Sequence, residues 1–152
     1  MENIWESSFE DKQSKVEEPK EEFVIDGMSD DLSILLNFGR LTTSFDFLGH
    51  HFTMQTLKMS EELRATSIAS SYLNALDQGA KAIIAALVAA SIVTVDGSEL
   101  VSSLGPDDSS VLERKFNYIL DKYYWIVVEE LYTEYAKLVD RLNLALAEFK
   151  KK

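Results

Sequence analysis

Residues 80–95, Ala-Lys-Ala-Ile-Ile-Ala-Ala-Leu-Val-Ala-Ala-Ser-Ile-Val-Thr-Val, form the most apolar stretch of the chain, with Lys81 as their only charge. A membrane-spanning helix needs roughly 20 apolar residues. This run has sixteen, is rich in alanine and closes on Asp96-Gly97. Small side chains let neighbouring helices approach closely. The run therefore predicts a buried central helix, the packing hub of a helical domain, rather than a membrane span.

On its N-terminal side, Asp77-Gln78-Gly79 separates this helix from another that opens at Ser60-Glu61-Glu62. A capping hydroxyl followed by carboxylates suits the positive end of a helix dipole. The helix should run to about Leu76, with Leu63, Ile68, Tyr72 and Leu76 on or near one side. Before it the period changes to two. Phe45 and Phe47 alternate with Ser44 and Asp46, Phe52 and Met54 alternate with Thr53 and Gln55, and Gly49 lies between the two runs. That pattern predicts a β-hairpin near residues 42–57 with one apolar face. Residues 32–40, with Ser29 or Asp30 as a cap and Gly39 as a stop, suggest one or two helical turns.

On the C-terminal side, Gly97, Gly105 and Pro106 mark a loop over 96–109. Ser110 and Glu113 then form a capping-box pattern. No glycine or proline follows as far as Phe149, and apolar residues recur at Leu112, Phe116, Ile119, Tyr123, Val127, Leu131, Tyr135, Leu138, Leu142 and Phe149. Spacings of three and four describe one long amphipathic helix or two sharing a kink. Some 38 helical residues would extend about 57 Å, whereas a globule of this size is about 30 to 40 Å across. The helix is thus expected to break near Glu129-Glu130 or to project beyond the domain, and projection would leave Leu138, Leu142, Leu146 and Phe149 needing another surface. Lys150-Lys151-Lys152 complement the negative end of its dipole.

The fold class that emerges is mainly α with one β-hairpin, a single small helical domain over 32–152. In front of it lies an acidic arm over 1–31, with eleven acids against Lys12, Lys15 and Lys20, a balance of −8 out of a total of −11. Most of such an arm cannot bury enough surface to offset its ordering entropy. Its large apolar residues are Ile4, Trp5, Phe9 and Phe23-Val24-Ile25. The arm reads either as a solvated, disordered tail or as a segment that docks into a partner's groove through Trp5 and Phe9, four residues apart, steered by the acids around them. The charge balance argues against nucleic acid, whose affinity comes from Lys and Arg displacing counterions. The absence of cysteine fits folding in a reducing cytoplasm, and the first residues lack the pattern of a signal peptide.

No catalytic constellation stands out. His50 and His51 are adjacent on the hairpin, so their side chains should point to opposite faces and make a poor metal pair. Paired acids such as Glu17-Glu18, Glu21-Glu22, Asp107-Asp108 and Glu129-Glu130 read as solvated charge, because acid and base catalysis needs two carboxylates in different environments around a cleft. Asp26-Gly27-Met28-Ser29-Asp30-Asp31 lacks the calcium-loop register. Phosphate loops and nucleophile elbows are missing as well. The cluster left over is aromatic: Tyr118, Tyr123, Tyr124, Trp125, Tyr132 and Tyr135. It reads either as packing along the long helix or as an interface, since such side chains concentrate at binding hot spots.

Residues 45–63, Phe-Asp-Phe-Leu-Gly-His-His-Phe-Thr-Met-Gln-Thr-Leu-Lys-Met-Ser-Glu-Glu-Leu, lead from a glycine-turn hairpin through Thr56-Leu57 into an acid-capped helix and then the alanine-rich one. Over about residues 44–97 this arrangement resembles the small tail-assembly proteins of tailed bacteriophages, including their tail assembly chaperones. The resemblance implies an assembly factor without catalysis or cofactor. Its partners would be the tape-measure protein or other tail and virion subunits, met in the host cytoplasm during assembly or in the particle. A minor structural virion protein and a cellular helical adaptor are the alternatives, and homo-oligomers are compatible with all three. The expected protein-binding residues are Trp5, Phe9, Tyr124, Trp125, Tyr132, Tyr135, Leu142 and Phe149.

Overall fold

The structure is a computed structural model and describes residues 27–74, 76–102 and 110–151. The segment 1–26, with Trp5 and Phe9, lies outside the described residues. Helix α1 (Asp30–Leu36) is followed by a hairpin of β1 (Thr42–Phe47) and β2 (His50–Gln55). Next come α2 (Met59–Ala69), a 3-10 turn at Ser70–Tyr72, α3 (Leu76–Ser91), β3 (Ile92–Val95), α4 (Val111–Lys122) and α5 (Trp125–Lys150). The mainly helical α+β class with a hairpin and a long C-terminal helix is what the sequence patterns predict.

Helix α3 is the hub. Ala82, Ala85, Ala86, Val88 and Ala89 are buried, and α3 packs against α2, α4 and α5. Its end differs from the expectation. The helix stops at Ser91, whose hydroxyl donates back to the Val88 carbonyl at 2.9 Å, and the last four residues of the apolar run become β3. Ile-Val-Thr-Val is β-branched throughout, and such side chains fit a pleated sheet better than a helix. β3 pairs antiparallel with β2, giving a three-stranded sheet in the order β1-β2-β3. Thr43, Phe45 and Phe47 face Met54, Phe52 and His50 across the hairpin, so the apolar face points to the core while Thr42, Ser44, Asp46, His51, Thr53 and Gln55 share the other.

Helix α2 ends at Ala69, earlier than its pattern predicts, and its packed residues are Ala65 and Ala69. Leu63 and Tyr72 are exposed. Close packing on alanine-rich α3 selects the small side chains for the contact and turns the larger ones outward.

The long C-terminal run breaks at Tyr123 and Tyr124, not at Glu129-Glu130. Both tyrosines are extended, with ψ near 137° and 150°. Two extended residues let α4 and α5 each lie against α3, which one straight rod could not do. The 26 residues of α5 span about 39 Å, so the break shortens the rod that an unbroken run would form. The far half of α5 is clasped by α1. Leu32, Leu138 and Ala145 are buried there, Ser29 Oγ donates to Glu148 at 2.6 Å, and Arg141 donates to both oxygens of Asp31 at 2.8 and 3.1 Å. Asp30 and Asp31, placed in the arm by composition, belong to the first turn of α1.

Candidate protein-binding surface

The α4–α5 corner collects the aromatic residues of the C-terminal run. Tyr123 sits at its centre, half-buried, with its ring edge-on to Tyr118 at 6.1 Å. Burial pushes its hydroxyl pKa up, and Tyr118 and Asp96 add to that. Tyr124 projects outward, 81% exposed, and Ile126 beside it is also exposed. Trp125 opens α5 and receives the Lys81 ammonium over its ring, 5.1 Å from the centroid, a cation–π contact of about 0.5–1 kcal/mol at a partly exposed site.

Two grooves of about 390 Å³ each flank Tyr123. One runs to the hairpin tip, between Leu48 and His50 on one side and Tyr118, Tyr123 and Tyr124 on the other. The second is lined by Tyr72, Lys81, Leu120, Tyr123 and Trp125. Both walls are largely apolar and aromatic with a few polar groups, the usual makeup of a recognition site.

Leu48 sets the character of the first groove. The two-residue hairpin turn places Leu48 at φ 51° and Gly49 at φ 77°, the pattern of a type I′ turn, in which both residues need positive φ. Leu48 is nevertheless a bulky aliphatic residue and is 68% exposed. The neighbouring turn at Asp96-Gly97, φ 53° and 79°, uses the preferred residue types. There the Asp96 carboxylate accepts from the His51 backbone N–H at 2.8 Å and bonds His50 Nδ1 at 2.6 Å. These two contacts, the backbone one first, hold its pKa below the ordinary aspartate value.

His51 bonds Asp46 instead, at 2.7 Å on the opposite face, so the adjacent histidines serve separate carboxylates. Among the described residues no three His, Cys, Asp or Glu side chains converge as a metal site, and no described helix is long and apolar enough to cross a membrane. His50 and Asp96 form an orienting pair, but the described lining of their groove contains no serine, threonine or cysteine hydroxyl or thiol beside them. The surface offers shape, aromatic rings and a few charges.

The residues singled out from sequence are divided by this geometry. Tyr124 and Trp125 come together at the corner. Tyr135 does not join them: it is a core residue, with its ring 6.2 Å from Tyr132 and its hydroxyl 3.4 Å from Glu62, because α5 turns that side toward α2. Tyr132 is half-buried against the core. Leu142 lines a separate groove beside α1, and Phe149 is partly exposed near the end of α5. Leu48 was missed, although a Leu-Gly pair in a two-residue turn between alternating strands already requires an aliphatic residue at positive φ.

No protein family, curated protein or solved structure matches the chain.

Proposed function

We propose that this protein is a non-enzymatic protein-binding factor of bacteriophage tail or virion assembly, comparable to a tail assembly chaperone, and that it holds an apolar segment of a tail component at the α4–α5 corner. One observation carries the binding part of the reading. Leu48 stands in a strained backbone conformation, largely exposed, across a groove from the exposed ring of Tyr124. Strain with little burial to offset it is a reason to look for a function, and exposed aromatic and aliphatic anchors around a groove are what hot spots are made of. The phage setting rests on the resemblance of residues 44–97 alone.

The test is co-expression with the tape-measure protein that the phage reading expects in the gene neighbourhood of this chain, followed by purification of the complex. Wild type should retain it, and the double substitution Leu48→Ser, Tyr124→Ser should lose it at least tenfold with a melting temperature no lower than that of the wild type, since serine at the N-cap of α5 suits the helix start. Equal retention by both would remove the corner from the reading, and a gene neighbourhood without tail components would remove the phage setting. Stoichiometric presence in purified particles would identify a structural virion subunit in place of a chaperone.

A further inference from the structure

Another groove, of about 310 Å³, lies where α1, the start of α2 and α5 meet, lined by Leu35, Phe38, Leu57, Met59 and Leu142 together with Arg40 and Lys58. Its rim repeats the combination seen at Leu48. Phe38 is 85% exposed and has φ 56°. The turn that holds it is a Schellman motif: the Gly39 N–H bonds the Ile34 carbonyl at 2.8 Å and the Phe38 N–H bonds the Leu35 carbonyl at 3.1 Å. Glycine is the usual residue at the left-handed position of that motif, and here it is phenylalanine. Met59 is 76% exposed beside it, and Leu63 follows one turn further along α2, 59% exposed.

The size, charge and position of this surface select its occupant. The exposed apolar side chains around it amount to roughly 500 Å², less than the roughly 800 Å² that each partner contributes to a stable interface, which suits a short segment better than a second folded domain. Its described lining residues include two cations, Arg40, whose guanidinium is already held by Glu61 at 2.7 and 2.8 Å, and Lys58. A complementary ligand is an acidic segment with one or two large apolar anchors. The chain carries one: residues 1–11 contain Trp5 and Phe9, four acids at Glu2, Glu6, Glu10 and Asp11, and no lysine or arginine. The tether is long enough. Ser29 is fixed against Glu148, α1 covers about 10 Å from there toward Phe38, and 18 residues, the number from Phe9 to Gly27, can span up to about 60 Å.

We propose that residues 1–11 dock within the same molecule into the groove between α1, α2 and α5, with Trp5 and Phe9 against Phe38, Met59 and Leu142 and the acids facing Lys58. The docked segment occupies a site separate from the aromatic corner, and the proposal stands whether or not a tail component binds there.

The experiment uses the full chain labelled with 5-fluorotryptophan, which gives two fluorine resonances, one each from Trp5 and Trp125. Trp5→Phe assigns them. In the wild type the Trp5 resonance should lie away from its position in the urea-unfolded chain and should move toward it in 1 M salt. Phe38→Gly, which suits the turn and so preserves the fold, and Lys58→Glu should each move it most of the way, with Trp125 unmoved as the control. A wild-type Trp5 resonance at the unfolded position, or one indifferent to both substitutions, overturns the proposal. A Trp5 shift that disappears on hundredfold dilution also overturns it, because the segment would then be occupying a second copy.

Discussion

Leu48 and Phe38 take backbone angles that L-residues with large side chains avoid, since the left-handed region brings Cβ against the following carbonyl at a cost of about 1–2 kcal/mol. Each is mostly exposed, so neither recovers that cost by burial within the fold. Leu48→Asn should therefore raise stability by about 0.5–1 kcal/mol, because asparagine tolerates positive φ and Asn-Gly is the preferred type I′ turn. The expected readout is a higher urea midpoint with the same m-value. An unchanged or lower midpoint would mean that Leu48 packs in solution against something that compensates its strain. Retained stability with weaker partner binding is the pattern of a residue kept for function at the expense of the fold.

At the scale of elements, alanine decides how close the helices sit. Ala86 is fully buried on α3, with α2, α4 and α5 around that helix. Ala86→Leu should lower stability by about 1–3 kcal/mol through overpacking, measured by chemical denaturation. A neutral result would mean that the helices stand far enough apart to admit three more carbons. The alanine run also shows what a sequence reveals and what it hides. A helix over most of residues 80–95 was legible from apolar length and small side chains. Its conversion to strand at Ile92 was not legible from hydropathy, because the apolar character continues unchanged. Only the β-branched Ile-Val-Thr-Val and the vacant edge of β2 decide it. The break at Tyr123-Tyr124 has no glycine or proline to announce it and arises because both halves gain contact with α3. The candidate surface was half legible. Tyr124 and Trp125 stand out by residue type, whereas Leu48 and Phe38 matter through backbone geometry, and Tyr135 has the composition of a hot spot but the location of a core residue.

For the whole molecule, ionisable groups on separate elements bracket the pH range of the fold. Glu61, on α2, receives both Arg40 guanidinium nitrogens at 2.7 and 2.8 Å and the Lys58 N–H at 2.8 Å, while Arg40 also donates to the Thr56 carbonyl at 3.1 Å. This joins the link before β1, the end of the hairpin and the start of α2. The Arg40 hydrogen bond, more than any other cause, holds the Glu61 pKa below its ordinary value near 4.5. A carboxylate with a lowered folded pKa stabilises the native state fully above its unfolded pKa, and that contribution is lost as pH falls through the folded value. Asp96 acts in the same direction.

At the other end, burial raises the hydroxyl pKa of Tyr123 and Tyr135 above the ordinary value of 10. Their contribution is present below that value and is lost as pH rises past it. Lys115 opposes them. Its ammonium donates to the Ile92 carbonyl at 2.7 Å, yet burial lowers its pKa from 10.5, so a penalty carried at neutral pH is relieved on the way to the unfolded value. Urea midpoints should thus be nearly flat from about pH 5 to 9 and fall on both sides. Glu61→Gln should lower the plateau by about 1 kcal/mol, the scale of a partly exposed ion pair, and flatten the acid limb, while Tyr135→Phe should flatten the alkaline one. If Glu61→Gln kept the wild-type acid limb at a lower plateau, the acid sensitivity would lie elsewhere among the 26 carboxylates of the chain, and the three-way latch would be holding the hairpin to α2 without setting the pH at which they part.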